Sequence, residues 1–436
     1  MFLSTGILRA ATAAALALAT ALPVFAETVM IHAGRVLDVP GKPQRGASTI
    51  TITDGRIVAL ENGYLRAPDQ TVRVIDLKEF FVLPGLIDAH VHLTSDNGGI
   101  AGQLESVTLS AAAQAFNAFG NGLKTLNAGF TTVRNLGDRD GAVLALRDAV
   151  NSGKVMGPRI LDAGRAISGT SGHTDSALGF RDELRPFFAG GENTCNGAED
   201  CRRVVRLQIS RGVDVIKMAT TGGVNSRIGA GLGVQMFDDE ARAIVETAAL
   251  FGKKVSAHAH GADGIRLALE AGVASIEHGT ILDAETIDLF AASTAYYVPT
   301  LSTVNGYIER LGANPDAYAP EVRAKIEWRI GITGRSLQAL HERGVRVAFG
   351  TDAGVSKHGR NADEFELLVK FGMSPMEAIQ AATVNAADLL GLPDEIGTLE
   401  PGKSADIIAV KGDPLNDVTD LKSVTFVMAR GKVVRD

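Results

Sequence analysis

The hydrophobic positions of the chain fall into three successive patterns. From Glu27 to about Leu83, apolar and polar residues alternate in short runs: Thr28–His32, Gly34–Asp38, Ser48–Thr53 and Arg56–Leu60. Alternation at period two predicts half-buried strands, and Asp54-Gly55 between two such runs is a strong hairpin signal. From Pro84 to Leu390 the texture changes. β-rich runs stand at Gly85–His92, Thr131–Leu136, Arg159–Ala163, Val213–Ala219, Lys254–His260, Ala274–His278, Ala295–Thr300 and Val345–Thr351. Helical patterns fill several of the intervals, at Leu104–Ala128, Asp238–Phe251 and Pro320–Arg343. Eight strands, most followed by a helix, predict an α/β fold of the (β/α)8 TIM barrel type. From Pro393 the strand pattern returns, at Ile407–Val410 and Val424–Val434, with a turn at Arg430-Gly431. The terminal segments, 27–83 and 391–436, are expected to pair into a small β-sandwich domain beside a barrel of residues 84–390. A doubly wound open sheet is the alternative. It would show a glycine-rich phosphate turn after its first strand, where this chain has His90-Val91-His92.

Composition fits a folded chain. Of 436 residues, 45% are hydrophobic and 21% charged, and the 49 glycines are scattered without a period. Disorder, coiled coil and collagen-like structure are thereby excluded. The net charge of −7, with both signs interspersed, gives no reason to expect nucleic acid or an anionic membrane as partner. The first 26 residues stand apart: Arg9 is their only charge, followed by the apolar run Ala10–Leu22 and then Val24-Phe25-Ala26. That run is too short for a bilayer span of about 20 residues. Its order predicts a signal peptide over residues 1–26 and an exported protein, periplasmic or secreted. Later apolar stretches are interrupted by charges, so no membrane span is expected. Cys195 and Cys201 share a polar stretch. In an oxidising compartment they read as a disulfide pinning that loop, with two free thiols as the alternative. Without nearby histidines they make a poor zinc site.

Candidate chemistry gathers at strand ends. His90 and His92, two residues apart on one strand, face the same side and can chelate one metal. Taken alone, such a pair equally fits hydrogen-bonded core histidines. Lys217 ends an apolar strand, where a buried ammonium either pairs with a carboxylate or loses its proton and reacts with carbon dioxide to give a carbamate. His258 and His260 close the next strand, His278 the one after and Asp352 the last. Six of the nine histidines (His90, His92, His173, His258, His260, His278) fall at strand ends or in strand-following loops, a concentration that points to metal binding. His32, His341 and His358 show no such pattern and read as surface residues.

The segment Pro84–His92, Lys217, His258, His278, Thr351-Asp352 and the closing Gly402–Asp406 resemble the amidohydrolase superfamily in its two-metal form, across essentially the whole mature chain. Gly129–Asn135, Ser171–Asp175 and Lys217–Val224 are similar to secreted Xaa-Pro dipeptidase-like and imidazolonepropionase-related peptidases. Some of those relatives are carboxypeptidases that also hydrolyse ochratoxin A. The resemblance implies two divalent ions, zinc in the first place. His90, His92 and Asp352 would hold one, His258 and His278 the other, with Lys217 as bridging N6-carboxylysine. It further implies a hydroxide shared by the ions as nucleophile, with Asp352 as proton shuttle. His260 is assigned to substrate or oxyanion contact, and its role can exchange with that of His258. His173, Arg227 and Tyr297 are candidate substrate contacts, Arg227 and Tyr297 for a substrate carboxylate. The expected substrate is a small peptide or N-acyl amino acid. A homo-oligomer is suggested by the resemblance alone. Cyclic-amide hydrolysis uses the same site and stays open. Deamination is disfavoured, because Gly261 stands where single-metal deaminases carry a glutamate. A catalytically silent scaffold would have lost ligands, and here every ligand position is filled.

Overall fold

The computed structural model describes residues 27–138, 140–188, 193–226 and 231–436. The leader expected at 1–26 and Arg227 lie outside the described residues. No described helix is long and apolar enough to cross a membrane.

The alternating runs form β1 (Thr28–Val36), β2 (Ser48–Thr53), β3 (Arg56–Asn62) and β4 (Arg73–Pro84). Asp54 and Gly55 both take left-handed backbone, φ 51° and 77°, which is the geometry a two-residue hairpin demands between β2 and β3. β4 continues through Gly85 into β5 (Leu86–Val91), so one extended stretch carries the terminal sheet into the strand that ends at the first histidines.

Six further strands follow: β6 (Phe130–Asn135), β7 (Arg159–Asp162), β8 (Ile216–Ala219), β9 (Val255–Ala259), β10 (Ser275–His278) and β11 (Tyr296–Val298). They pair in parallel, β5-β6-β7 in one sheet and β8 through β11 in another. Every residue of β5, β6 and β8 to β11 is buried, as parallel strands covered on both faces should be. Helices such as Ala198–Ser210, Asp238–Leu250 and Ala262–Ala271 supply the outer cover.

Seven of the eight expected barrel strands are present. The eighth, Val345–Thr351, forms isolated contacts instead of a ladder. It meets β11 at Val347 and the end of β5 at Ala353, and Asp352 breaks the extended run with a φ of 56°. Between the two sheets on the other side, Ile167 bridges Met218. The described strands thus form two parallel sheets joined by bridges, not one continuous closed sheet.

β12 (Ile407–Val410), β13 (Phe426–Ala429) and β14 (Lys432–Arg435) complete the chain. The terminal segments do pair, but edge to edge, because the 12-residue β4 takes β1 on one edge and β12 on the other. The result is one seven-stranded sheet, β14-β13-β12-β4-β1-β2-β3. The terminal strands of the expected small domain are thus hydrogen-bonded into this one mixed sheet. Its apolar face has its own core, with Ile31, Ile50, Ile52, Ile407 and Met428.

Two expected helices are each split. Leu104–Ala128 breaks into Gly99–Thr108 and Ala111–Asn127, because Ser110 caps the second helix by accepting from Ala113 N. Pro320–Arg343 breaks into Pro320–Gly331 and Arg335–Glu342 at Gly334, whose φ is 88°. Cys195 and Cys201 form a disulfide, with Cα atoms 4.9 Å apart.

Candidate active site

The ends of β5, β8, β9 and β10 and the turn at Asp352 open on one cavity of about 390 Å³. His90, His92, His173, Lys217, His258, His260, His278 and Asp352 all line it. The strand period explains the convergence: His90/His92 and His258/His260 each lie two apart, so each pair projects to one side. Two triads result. Ligating atoms of His90, His92 and Asp352 lie within 4.8 Å of one another, and so do those of His258, His260 and His278. Asp352 Oδ1 is 3.2 Å from His92 Nε2 and 3.6 Å from His90 Nε2. Asp352 and His278 both hold left-handed backbone (φ 56° and 70°), a costly conformation for residues with a Cβ and one that occurs here at two side chains of the site.

Hydrogen bonds fix which imidazole nitrogens face the cavity. His90 Nδ1 is 2.8 Å from Glu277 Oε2 and donates to it, leaving Nε2 with its lone pair. His278 Nδ1 is 2.7 Å from Thr300 Oγ1, whose own proton goes to Pro299 O; the histidine must therefore donate, and its Nε2 is the free base. His258 Nε2 donates to Gly222 O at 3.3 Å, leaving Nδ1 free. His260 is held through Nδ1 to Thr280 Oγ1, 2.8 Å, and through its backbone N–H to Thr221 Oγ1, 2.9 Å. The structure groups His260 with His258 and His278, so the imidazole assigned from sequence to substrate contact sits in a ligand-like triad. His173 stacks on His258 at 4.1 Å and meets Ser226 Oγ at 2.6 Å.

Burial sets the electrostatics. It pushes His90 and His173 down to about 4, helped by the Lys217 charge, and holds His258, His260 and His278 well below the usual value. The imidazoles are neutral and available as ligands. Lys217 is lowered to about 8, mainly by burial and further by Arg134, while Glu277 and Asp352 oppose the shift. Among the described residues its Nζ has no hydrogen-bond partner. A buried amine with no partner and an accessible neutral form is what carbamate formation requires. Burial alone would raise Asp352, but His90, His92 and Lys217 hold it below its ordinary value.

Two residues of the site escaped sequence reasoning. Glu277 is fully buried and accepts from Arg134 Nη2 (2.8 Å), Ser256 Oγ (2.7 Å), Ser275 Oγ (2.5 Å) and His90 Nδ1 (2.8 Å). Arg134 also donates from Nε to Ala89 O at 2.6 Å. Glu277 stays ionised although burial raises its pKa, because Arg134, Lys217 and the His90 bond more than offset that. A glutamate inside the apolar run ending at His278 was the available signal.

Two expectations are corrected. Tyr297 is a core residue outside the cavity wall; its hydroxyl donates to His278 O at 3.0 Å, so it braces a candidate ligand instead of meeting substrate. His358 is buried, not a surface residue. Its Nε2 lies 3.1 Å from His92 O and 3.0 Å from Ser95 O, and its Nδ1 3.2 Å from Thr125 Oγ1. His358 donates from Nε2 toward these two carbonyls and so braces the turn after His92. Of the remaining pair, His32 bonds Leu65 O at 2.8 Å and His341 faces Glu377 at 3.2 Å, both away from the site.

The chain belongs to the amidohydrolase family, whose model matches residues 81–434. It is an enzyme, a hydrolase of amide bonds, with the mixed α/β fold of that family's solved structures. It is 33% identical to the ochratoxinase of Aspergillus niger over 433 residues, which cover 94% of this chain and 87% of that protein. A crystal structure of a Xaa-Pro dipeptidase with methionine bound in the active site superposes with a TM-score of 0.89 at 37% identity, covering 94% of this chain and all of that one. A prolidase complexed with N-methylphosphonate-L-proline gives 0.84 at 29% identity, covering 94% and 99%.

Proposed function

We propose that the protein is a two-metal hydrolase that cleaves the amide bond of dipeptides or N-acyl amino acids, ochratoxin A among them, and releases the C-terminal amino acid. The observation that carries this is the convergence of six imidazoles, Asp352 and a Lys217 amine unpartnered among the described residues on one cavity. Ochratoxinase and prolidase-like relatives point to the same substrates.

The donor set fits two divalent ions, zinc in this reading. His90, His92 and Asp352 would hold one. His258 and His278 would hold the other, with His260 beside them, and carboxylated Lys217 would lie between. When bound, such ions polarise the scissile carbonyl and make water nucleophilic near neutral pH. Asp352, kept ionised by its neighbours, takes the proton of the attacking water and returns it to the leaving amine. Glu277 keeps His90 in the tautomer with Nε2 free. His260, and His173 stacked on His258, are the side chains assigned to donate to the carbonyl oxygen as negative charge develops there.

In this reading residues 84–390 form one closed (β/α)8 barrel, the bridges at Ile167, Val347 and Ala353 completing the cylinder. Segments 27–83 and 391–436 form the accessory unit. The disulfide and the leader-like residues 1–26 support export to an oxidising compartment. The test is amino-acid release from a dipeptide panel and from ochratoxin A by the zinc- and bicarbonate-loaded protein, with Asp352→Asn as the blank. Metal-dependent release that the blank lacks supports the proposal. Absence of turnover across the panel rejects it.

A further inference from the structure

Arg329 is a cation inside the site that no described anion meets. It lies on the helix Pro320–Gly331, lines the same cavity as His260 and is only 4% exposed. Its one hydrogen bond among the described residues runs from Nη1 to Thr333 Oγ1, at 3.3 Å. No described carboxylate pairs with it. The field of Glu364 reaches it, but the two oxygens of Glu364 accept from the backbone N–H groups of Leu301 and Ser302, at 2.8 and 2.6 Å. A guanidinium offers five N–H donors in a rigid fork, and four are uncommitted here. Burying such a group unpaired is unfavourable, and an anionic ligand relieves it.

Tyr307 offers a second donor in the lining of the same cavity. It stands on the helix Thr303–Ala313, buried, and its Oη accepts from Asn225 Nδ2 at 3.1 Å. Its own O–H is donated to no described group. Tyr307 and Arg329 both line the cavity, with Val224 and Val355 as apolar neighbours. Tyr297 and Arg227, the carboxylate contacts expected from sequence, do not fill this place: one is core and the other lies outside the described residues.

We propose that Arg329 and Tyr307 form the subsite that receives the free α-carboxylate of the substrate's C-terminal residue. The assignment rests on the hydrolase reading above and deepens it, making the enzyme a carboxypeptidase that requires a free acid. The Arg329 fork takes the two carboxylate oxygens, and the Tyr307 hydroxyl adds a third donor. The apolar neighbours leave that charge little competition from water.

The test compares N-acetyl amino acids bearing Phe, Met or Pro with their C-terminal carboxamides, on the metal-loaded full chain. The wild type is expected to prefer the acid by about 100-fold in kcat/KM, chiefly through KM, as loss of a buried charge pair implies. Arg329→Met should erase that preference, Arg329→Lys should keep part of it, and Tyr307→Phe should weaken it several-fold. Equal rates on acid and amide in the wild type overturn the subsite while leaving the hydrolase standing. So does an Arg329→Met variant that loses both substrates in proportion. If the wild type turns over neither, the hydrolase reading fails on its own. Calorimetric binding of the same compounds then decides the subsite: acid-selective binding lost in Arg329→Met upholds it, and equal or absent binding overturns it.

Discussion

Replacing Glu277 with glutamine keeps the side-chain shape and removes one buried charge. In the wild type that carboxylate accepts from Arg134, Ser256, Ser275 and His90, all within 2.8 Å. Glutamine offers a single acceptor oxygen, and its NH2 confronts groups that are themselves donors. Arg134 is left buried without its charged partner, keeping Ala89 O and the Ser275 hydroxyl among the described residues. Removing one partner of a buried pair costs roughly 3–5 kcal/mol, a large part of a typical total of about 5–15 kcal/mol. His90 also loses the acceptor that fixes its tautomer, which for a metal ligand is worth about 10–100-fold in affinity. Urea unfolding of the metal-free chain measures the first effect, and chelator competition for zinc measures the second. Because the folded-state pKa of Glu277 is depressed, its contribution is present above the unfolded value of about 4.3 and fades as pH falls. The stability gap between wild type and variant must therefore narrow in acid. A loss below about 1 kcal/mol together with unchanged zinc affinity would refute the assignment of Glu277 as the anchor of the site.

Three further outcomes are expected. Lys217→Ala should lose activity, and a short carboxylic acid should restore part of it by standing in for the carbamate; full activity in the untreated variant contradicts the carbamate role. Metal-free protein should lose stability as pH falls from about 6.5 toward 4, by up to ~1.4 kcal/mol per pH unit for each buried histidine. The sign follows because burial lowers the folded-state pKa of His90, His173, His258, His260 and His278, so the unfolded chain binds more protons; a flat urea midpoint over that range contradicts it. Cys195→Ser should cost about 2 kcal/mol, the loop-closure value for a ring this small, read as a shift in urea midpoint relative to wild type.

Much of the site was legible because strand periodicity is a local property. His90-x-His92 and His258-x-His260 announce one face each, and β10 ends at His278 where the apolar run stops. Asp54-Gly55 marked its hairpin because few other pairs tolerate two left-handed residues. What was not legible depends on distant partners. Glu277 and Arg134 matter through contacts 143 residues apart in sequence. His358 looked like a surface residue until the carbonyls of His92 and Ser95 were placed against it. Tyr297 lies on the strand beside the one that ends at His278, and its hydroxyl turns to the His278 carbonyl instead of the cavity. Arg329 reaches the cavity from a helix whose pattern gave no sign of it. The Ser110 cap is hidden within a continuous apolar period, and the pairing of β4 on both edges cannot be told from alternation alone.

The central claim is that His90, His92 and Asp352 hold one ion and His258 and His278 a second in the working enzyme. Elemental analysis of pure, active protein, with metal content followed during stepwise chelation, tests it most directly. The account predicts close to two divalent ions per chain, with amide hydrolysis lost as they leave and regained when zinc and bicarbonate return. Full activity in protein that retains no divalent ion would contradict it.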